Sequence, residues 1–126
     1  MGKRVTGQLA AVEAIGDNSE LTIVDKATIL APTDTVVQAI IPLGVADAYD
    51  ITLPPVSMSV GIRVYVEFIR ATGQYVDGTV NVKGAGDEVG GAFDSGAVTT
   101  AGDFIVLDNV AGRRWALVAS EVTGET

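Results

Sequence analysis

Asp87, Glu88 and Asp94 lie in the five-glycine stretch Gly84–Gly96, and they are the residues whose types and spacing come nearest to chemistry. Clustered carboxylates serve two ends. As a pair they act as general acid and base when burial lifts one pKa above the other. With backbone carbonyls they hold a hard cation. The first use needs an environment that treats the carboxyls differently, and the flanking glycines and alanines supply none. The second needs ligand spacing, and this one does not match an EF-hand. Solvated turn residues are the plainer reading. Gly84-Ala85-Gly86-Asp87-Glu88-Val89-Gly90 is superficially like a dinucleotide loop, but it has one residue too many before its last glycine and carries acids where a pyrophosphate would sit. The chain has no histidine and no cysteine. That removes Ser-His-Asp and Cys-His catalysis, thiolate metal sites and disulfides. The expectation is a protein that is not an enzyme and takes no cofactor.

Aromatic and basic residues offer binding instead. Trp115, the only tryptophan, has a face suited to stacking on a sugar or anchoring an interface, and equally to packing in the core or edge of a last strand. Sixteen acidic residues against eight basic ones leave a net charge of -8. Nucleic acid is not an expected partner, because phosphate affinity comes from clustered Lys and Arg. The basic pairs Lys3-Arg4 and Arg113-Arg114 read as a chain end and a solvated turn. Met1-Gly2-Lys3-Arg4 leads into no apolar run, and no segment reaches the roughly 20 apolar residues of a membrane helix, so neither export nor a membrane is expected.

The elements that must position these residues read as strands. A composition that is 48% hydrophobic is too apolar for disorder. Leu21–Val24 and Ala27–Leu30 suit a tight hairpin or one bent strand, and Thr35–Ile41 is a β-branched run closed by Pro42 and Gly44. Tyr49, Ile51 and Leu53 share a face of a strand that Pro54-Pro55 ends. From Ile62 to Phe68 the alternation is cleanest: Ile62, Val64, Val66 and Phe68 face one way, and Arg63, Tyr65 and Glu67 the other. That pattern predicts a half-buried antiparallel strand. Tyr65 and Ile69 share the second face, which is a subunit contact if solvent does not cover it. Gly84–Gly96 is a surface loop pinned by Val89 and Phe93. Ala97–Thr100 and Phe104–Leu107 are strands, Asp108–Gly112 is the final turn, and Trp115–Val118 is the last strand. The fold expected is all-β, a small antiparallel β-sandwich or barrel over residues 21–120, with an N-terminal arm at 1–20 and a fraying tail at 121–126. Val5, Leu9 and Val12, three or four apart, would dock the arm.

Four landmarks, Ile51-Thr52-Leu53-Pro54-Pro55, Gly61-Ile62-Arg63-Val64-Tyr65-Val66, the loop Gly84–Gly91 with Asp87, and Asp103–Asn109 leading to Trp115, together resemble a β module of tailed-bacteriophage virion proteins. The resemblance covers about residues 49–119. Modules of this kind occur in capsid decoration proteins, head fibres and tail fibres, usually as homotrimers. It implies a capsid decoration, or cement, protein. Such a protein is made in the host cytoplasm, sits on the outer surface of the virion, and has the major capsid protein and its own copies as partners. Lys3, Arg4, Val5, Leu9 and Val12 would then reach across capsomer boundaries, and Tyr65, Ile69 and Trp115 would serve subunit contact or local core. The alternative it leaves open is a receptor- or carbohydrate-binding module of a tail or head fibre.

Overall fold

The computed structural model describes residues 21–44, 46–70 and 78–121. Eight strands form: β1 (Leu21–Val24), β2 (Thr28–Ile29), β3 (Val36–Ile41), β4 (Ala48–Thr52), β5 (Arg63–Arg70), β6 (Thr79–Lys83), β7 (Phe104–Val110) and β8 (Arg114–Glu121). One 3-10 turn, Val56–Met58, separates β4 from β5. The all-β expectation holds for these residues. The strands divide between a five-stranded sheet in the order β1-β3-β5-β7-β8 and a three-stranded sheet in the order β2-β4-β6.

The pairing differs from the antiparallel expectation. β1, β3 and β5 are mutually parallel, as are β2, β4 and β6. Only β7 and β8 run antiparallel to their neighbours. The chain therefore winds, and each of the first three turns places one strand in each sheet. Leu21–Val24 and Thr28–Ile29 do not form a hairpin, because they belong to different sheets. Period-two alternation records which face is buried and carries no strand direction. β5 illustrates this: the same residues pair parallel with β3, Tyr65 opposite Val36, and antiparallel with β7, Tyr65 opposite Val106. Asp108 and Asn109, expected in a turn, extend β7, and Ala97–Thr100 contributes only an isolated bridge of Val98 to Val80.

Both sheets feed one core. Val24, Val37, Ala39, Ile41, Val64, Val66, Phe68, Ile105 and Leu107 come from the larger sheet, Ile51, Val80 and Val82 from the smaller. The side chains are mostly β-branched, which suits pleated faces packed closely together. β5 is central and buried on both faces. Val36, Tyr65 and Val106 make a second cluster on the far side, with the Tyr65 and Phe104 rings 6.0 Å apart.

Polar bonds fasten one turn of the winding to the next. The Tyr49 hydroxyl donates to the Ile40 carbonyl at 2.7 Å and lies 3.2 Å from the Val24 carbonyl, so it spans the ends of β3 and β1. Burial, and the nearby charge of Asp25, raise the pKa of this phenol and keep it a donor. At the start of β6 the Gly78 N–H donates to the Pro42 carbonyl at 2.7 Å. A Cβ on Gly78 would meet the Asp47 carbonyl oxygen at 2.4 Å and that of Gly44 at 2.8 Å, and backbone cannot swing aside as a side chain can. Gly78→Ala is expected to cost at least about 2 kcal/mol, read as a lower urea midpoint at unchanged slope.

Candidate docking surface

The crossing from β4 to β5 runs through Leu53-Pro54-Pro55, the 3-10 turn and Ser59–Ile62, and it cannot satisfy its own carbonyls by a ladder. Prolines lack an N–H, and a chain leaving one sheet for another has no neighbour strand. The 3-10 turn closes with the Met58 N–H on the Pro55 carbonyl at 3.1 Å and the Ser59 N–H on the Val56 carbonyl at 3.4 Å, and side chains from β7 and β8 add the other donors. The Trp115 indole N–H donates to the Pro54 carbonyl at 3.0 Å. The Asn109 amide donates at 3.0 Å to both the Val56 carbonyl and the Ser59 hydroxyl. Ser59 Oγ in turn donates to the Pro55 carbonyl at 2.7 Å. Asn109 Oδ1 accepts from the Gly112 N–H at 2.8 Å, so both ends of its buried amide are used. Its backbone N–H meets the Ile62 carbonyl at 2.8 Å.

The β7–β8 turn is shaped for this contact. Ala111 and Gly112 have φ of 56° and 69°, and the Arg113 N–H donates to the Val110 carbonyl at 2.9 Å. Two successive left-handed residues follow the twist of a hairpin. Gly112 is also confined by space, since a Cβ there would lie 2.8 Å from Val60 Cγ2. The acidic loop joins from the other side. Asp87 Oδ1 accepts from the Val56 N–H at 3.3 Å, and the Val89 N–H donates to the Arg113 carbonyl at 2.7 Å.

The landmarks Leu53-Pro54-Pro55, Ile62, Asp87, Asn109 and Trp115 thus meet at one end of the molecule, although they are distant in sequence. That tip presents Met58, Val60, Val89 and Val110 with exposures of 65%, 62%, 53% and 38%. Exposed Arg113 stands beside them and makes no ion pair among the described residues. The carboxylates of the loop are engaged locally: Glu88 Oε1 accepts from the Gly86 N–H at 3.1 Å and Asp94 Oδ1 from the Gly96 N–H at 2.9 Å. Among the described residues no three His, Cys, Asp or Glu side chains gather where they could hold a metal ion. What such a surface can do is bind by shape and apolar contact.

The residues proposed from sequence as interface fall in three places. Tyr65 and Trp115 are enclosed by the chain itself, at 0% and 4% exposure, and Ile69 is half-buried. Lys3, Arg4, Val5, Leu9 and Val12, with the arm 1–20 and the tail 122–126, lie outside the described residues. Met58, Val60, Val89 and Val110 were not legible as a group. Each is a lone apolar residue beside Gly, Ser or Asn, and only the winding assembles them. Compared with known protein families, curated proteins and solved structures, the chain matches none.

One ion pair braces this end of β5 against β7. Arg63 Nε and Nη2 donate to the two Asp108 carboxyl oxygens at 2.6 and 2.8 Å, between directly opposed residues. The hydrogen bond from Arg63 holds the Asp108 carboxyl below its usual range. A carboxyl lowered by folding stabilises the native state above its unfolded pKa, and that contribution fades as pH falls through the folded pKa. Because both side chains are about a third exposed, at 29% and 36%, the effect stays within about 1 kcal/mol. Asp108→Asn is expected to flatten that part of the acid limb of the stability curve, measured by urea titration from neutral pH downward. Asn109→Leu is expected to cost about 2 kcal/mol in the same assay, since it strands the Gly112 N–H and leaves the Val56 carbonyl only the 3.4 Å bond from the Ser59 N–H.

Proposed function

We propose that this protein is a non-enzymatic structural protein of a tailed-bacteriophage virion that decorates the outer surface of the capsid and binds the major capsid protein through the tip. One observation carries the reading. A loop cluster locked by buried side-chain hydrogen bonds displays Met58, Val60, Val89 and Val110 to solvent. Fixing apolar residues on rigid loops lowers the ordering cost of association, which is what a binding surface needs. Pro54, Asp87, Asn109 and Trp115, which lock that cluster, are among the residues that carry the sequence resemblance to virion modules. In this reading the sheets act as the scaffold, and the shell contributes an apolar surface with a carboxylate for Arg113. Residues 2–16 provide a second contact, and occupying several capsid subunits at once turns weak contacts into firm retention.

The carbohydrate-binding alternative draws less support. Of the two aromatics it would use for stacking, Trp115 is buried and spends its N–H on Pro54, and Tyr75 lies outside the described residues.

The test starts from purified particles of the phage or prophage that encodes the chain. The expected result is a stoichiometric set of copies per shell, removable by mild denaturant and restored by adding back the purified chain. Met58→Asp with Val60→Asp is expected to weaken rebinding at least about tenfold with an unchanged circular dichroism spectrum. Absence of the chain from particles would refute the proposal, and rebinding indifferent to both substitutions would remove the tip from it.

A further inference from the structure

β8 is an edge strand that is exposed on both faces. From Leu117 to Glu121 every residue is exposed, with Leu117 and Val118 at 52% and 47%. Among the described residues β8 pairs with β7 alone, so it presents one row of backbone N–H and C=O groups outward. Apolar edge strands without Lys or Pro in their interior are templates for another strand. The register identifies which strand fits.

Val106 faces Ala119 while Leu107 faces Leu117, so Val118 is an extra, bulged residue. The bulge reshapes the alternation of the strand. Arg114 and Ala116, opposite Val110 and Asp108, share a face with Ala119 and Glu121, opposite Val106 and Phe104. Trp115, Leu117 and Ser120 share the other. With Val118 set aside, the strand reads Arg114, Trp115, Ala116, Leu117, Ala119, Ser120, Glu121. About Leu117 its faces are symmetric, alanines stand on either side, and its ends carry opposite charges.

We propose that two copies of this chain associate through antiparallel pairing of β8 with β8 about a two-fold axis at Leu117, joining the two five-stranded sheets. In that register Leu117 meets its own counterpart, Ala116 faces Ala119, Trp115 faces Ser120, and each Arg114 faces Glu121 of the other copy. A two-fold axis normal to a sheet preserves faces, so paired residues must share a face. Without the bulge, Arg114 and Glu121 would lie on opposite faces and could not be partners. A parallel arrangement would set arginine beside arginine. Arg114 makes no ion pair within the described residues. The two-fold contact closes on itself, giving a dimer in place of the trimer that the family resemblance implies.

Sedimentation equilibrium of the full chain across the micromolar range tests this. The expected species has twice the 12.9 kDa chain mass. Leu117→Lys sets two ammonium groups together on the axis and is expected to give a monomer with an unchanged circular dichroism spectrum. Arg114→Glu is expected to weaken the dimer about tenfold, because the unlike-charge contact occurs twice in it. Combining it with Glu121→Arg recreates the pair in reverse and is expected to restore the affinity. A wild-type chain that stays monomeric, a trimer, or a dimer indifferent to Leu117→Lys overturns the proposal. Failure of the double exchange to rescue overturns the register.

Discussion

Carbonyls that no strand can reach are the constraint around which this end of the molecule is arranged. Pro54, Pro55 and Val56 carry the chain from the smaller sheet to the larger, and their oxygens accept from Trp115, Ser59 and Asn109. A buried carbonyl left without a donor costs more than an ordinary hydrogen bond gains, so the crossing, the hairpin that supplies the donors and the glycine beneath it stand together. Trp115 and Asn109 are therefore structural and enabling. They hold in place the backbone from which Met58, Val60 and Val110 project.

The winding of the first six strands explains why the rest of the fold can be small. Each turn extends both sheets, and each new strand finds its partner already in place. The inner faces close on a single core of Val, Ile, Leu and Phe. Parallel strands usually need helices to cover them. Here the connection between one strand and its parallel neighbour is a strand of the other sheet, and residues of both sheets share one core. Tyr49 of β4 adds a fixed polar tie between turns by donating to the Ile40 carbonyl of β3.

Acidity reads differently once the loops are placed. Asp87, Glu88 and Asp94 spend oxygen atoms on backbone N–H groups of their own or an adjoining loop, which is how glycine-rich chain is kept in one shape. Aspartates at these spacings look identical in sequence whether they bind a metal, perform catalysis or close a turn. The distinction lies in which N–H groups surround them.

Composition and alternation alone determined the all-β class, the strand from Ile62 to Phe68 with its two faces, and the roles of Pro54-Pro55 and Gly112 as punctuation. These are local properties, set by side-chain polarity and by allowed φ. Strand direction, the assignment of Leu21–Val24 and Thr28–Ile29 to different sheets, and the meeting of Asp87, Asn109 and Trp115 were decided only in the tertiary structure. Alternation has the same period in parallel and antiparallel strands, and a single chain order fits many sheet orders. The convergence of distant residues depends on which backbone groups remain to be satisfied after the sheets have formed.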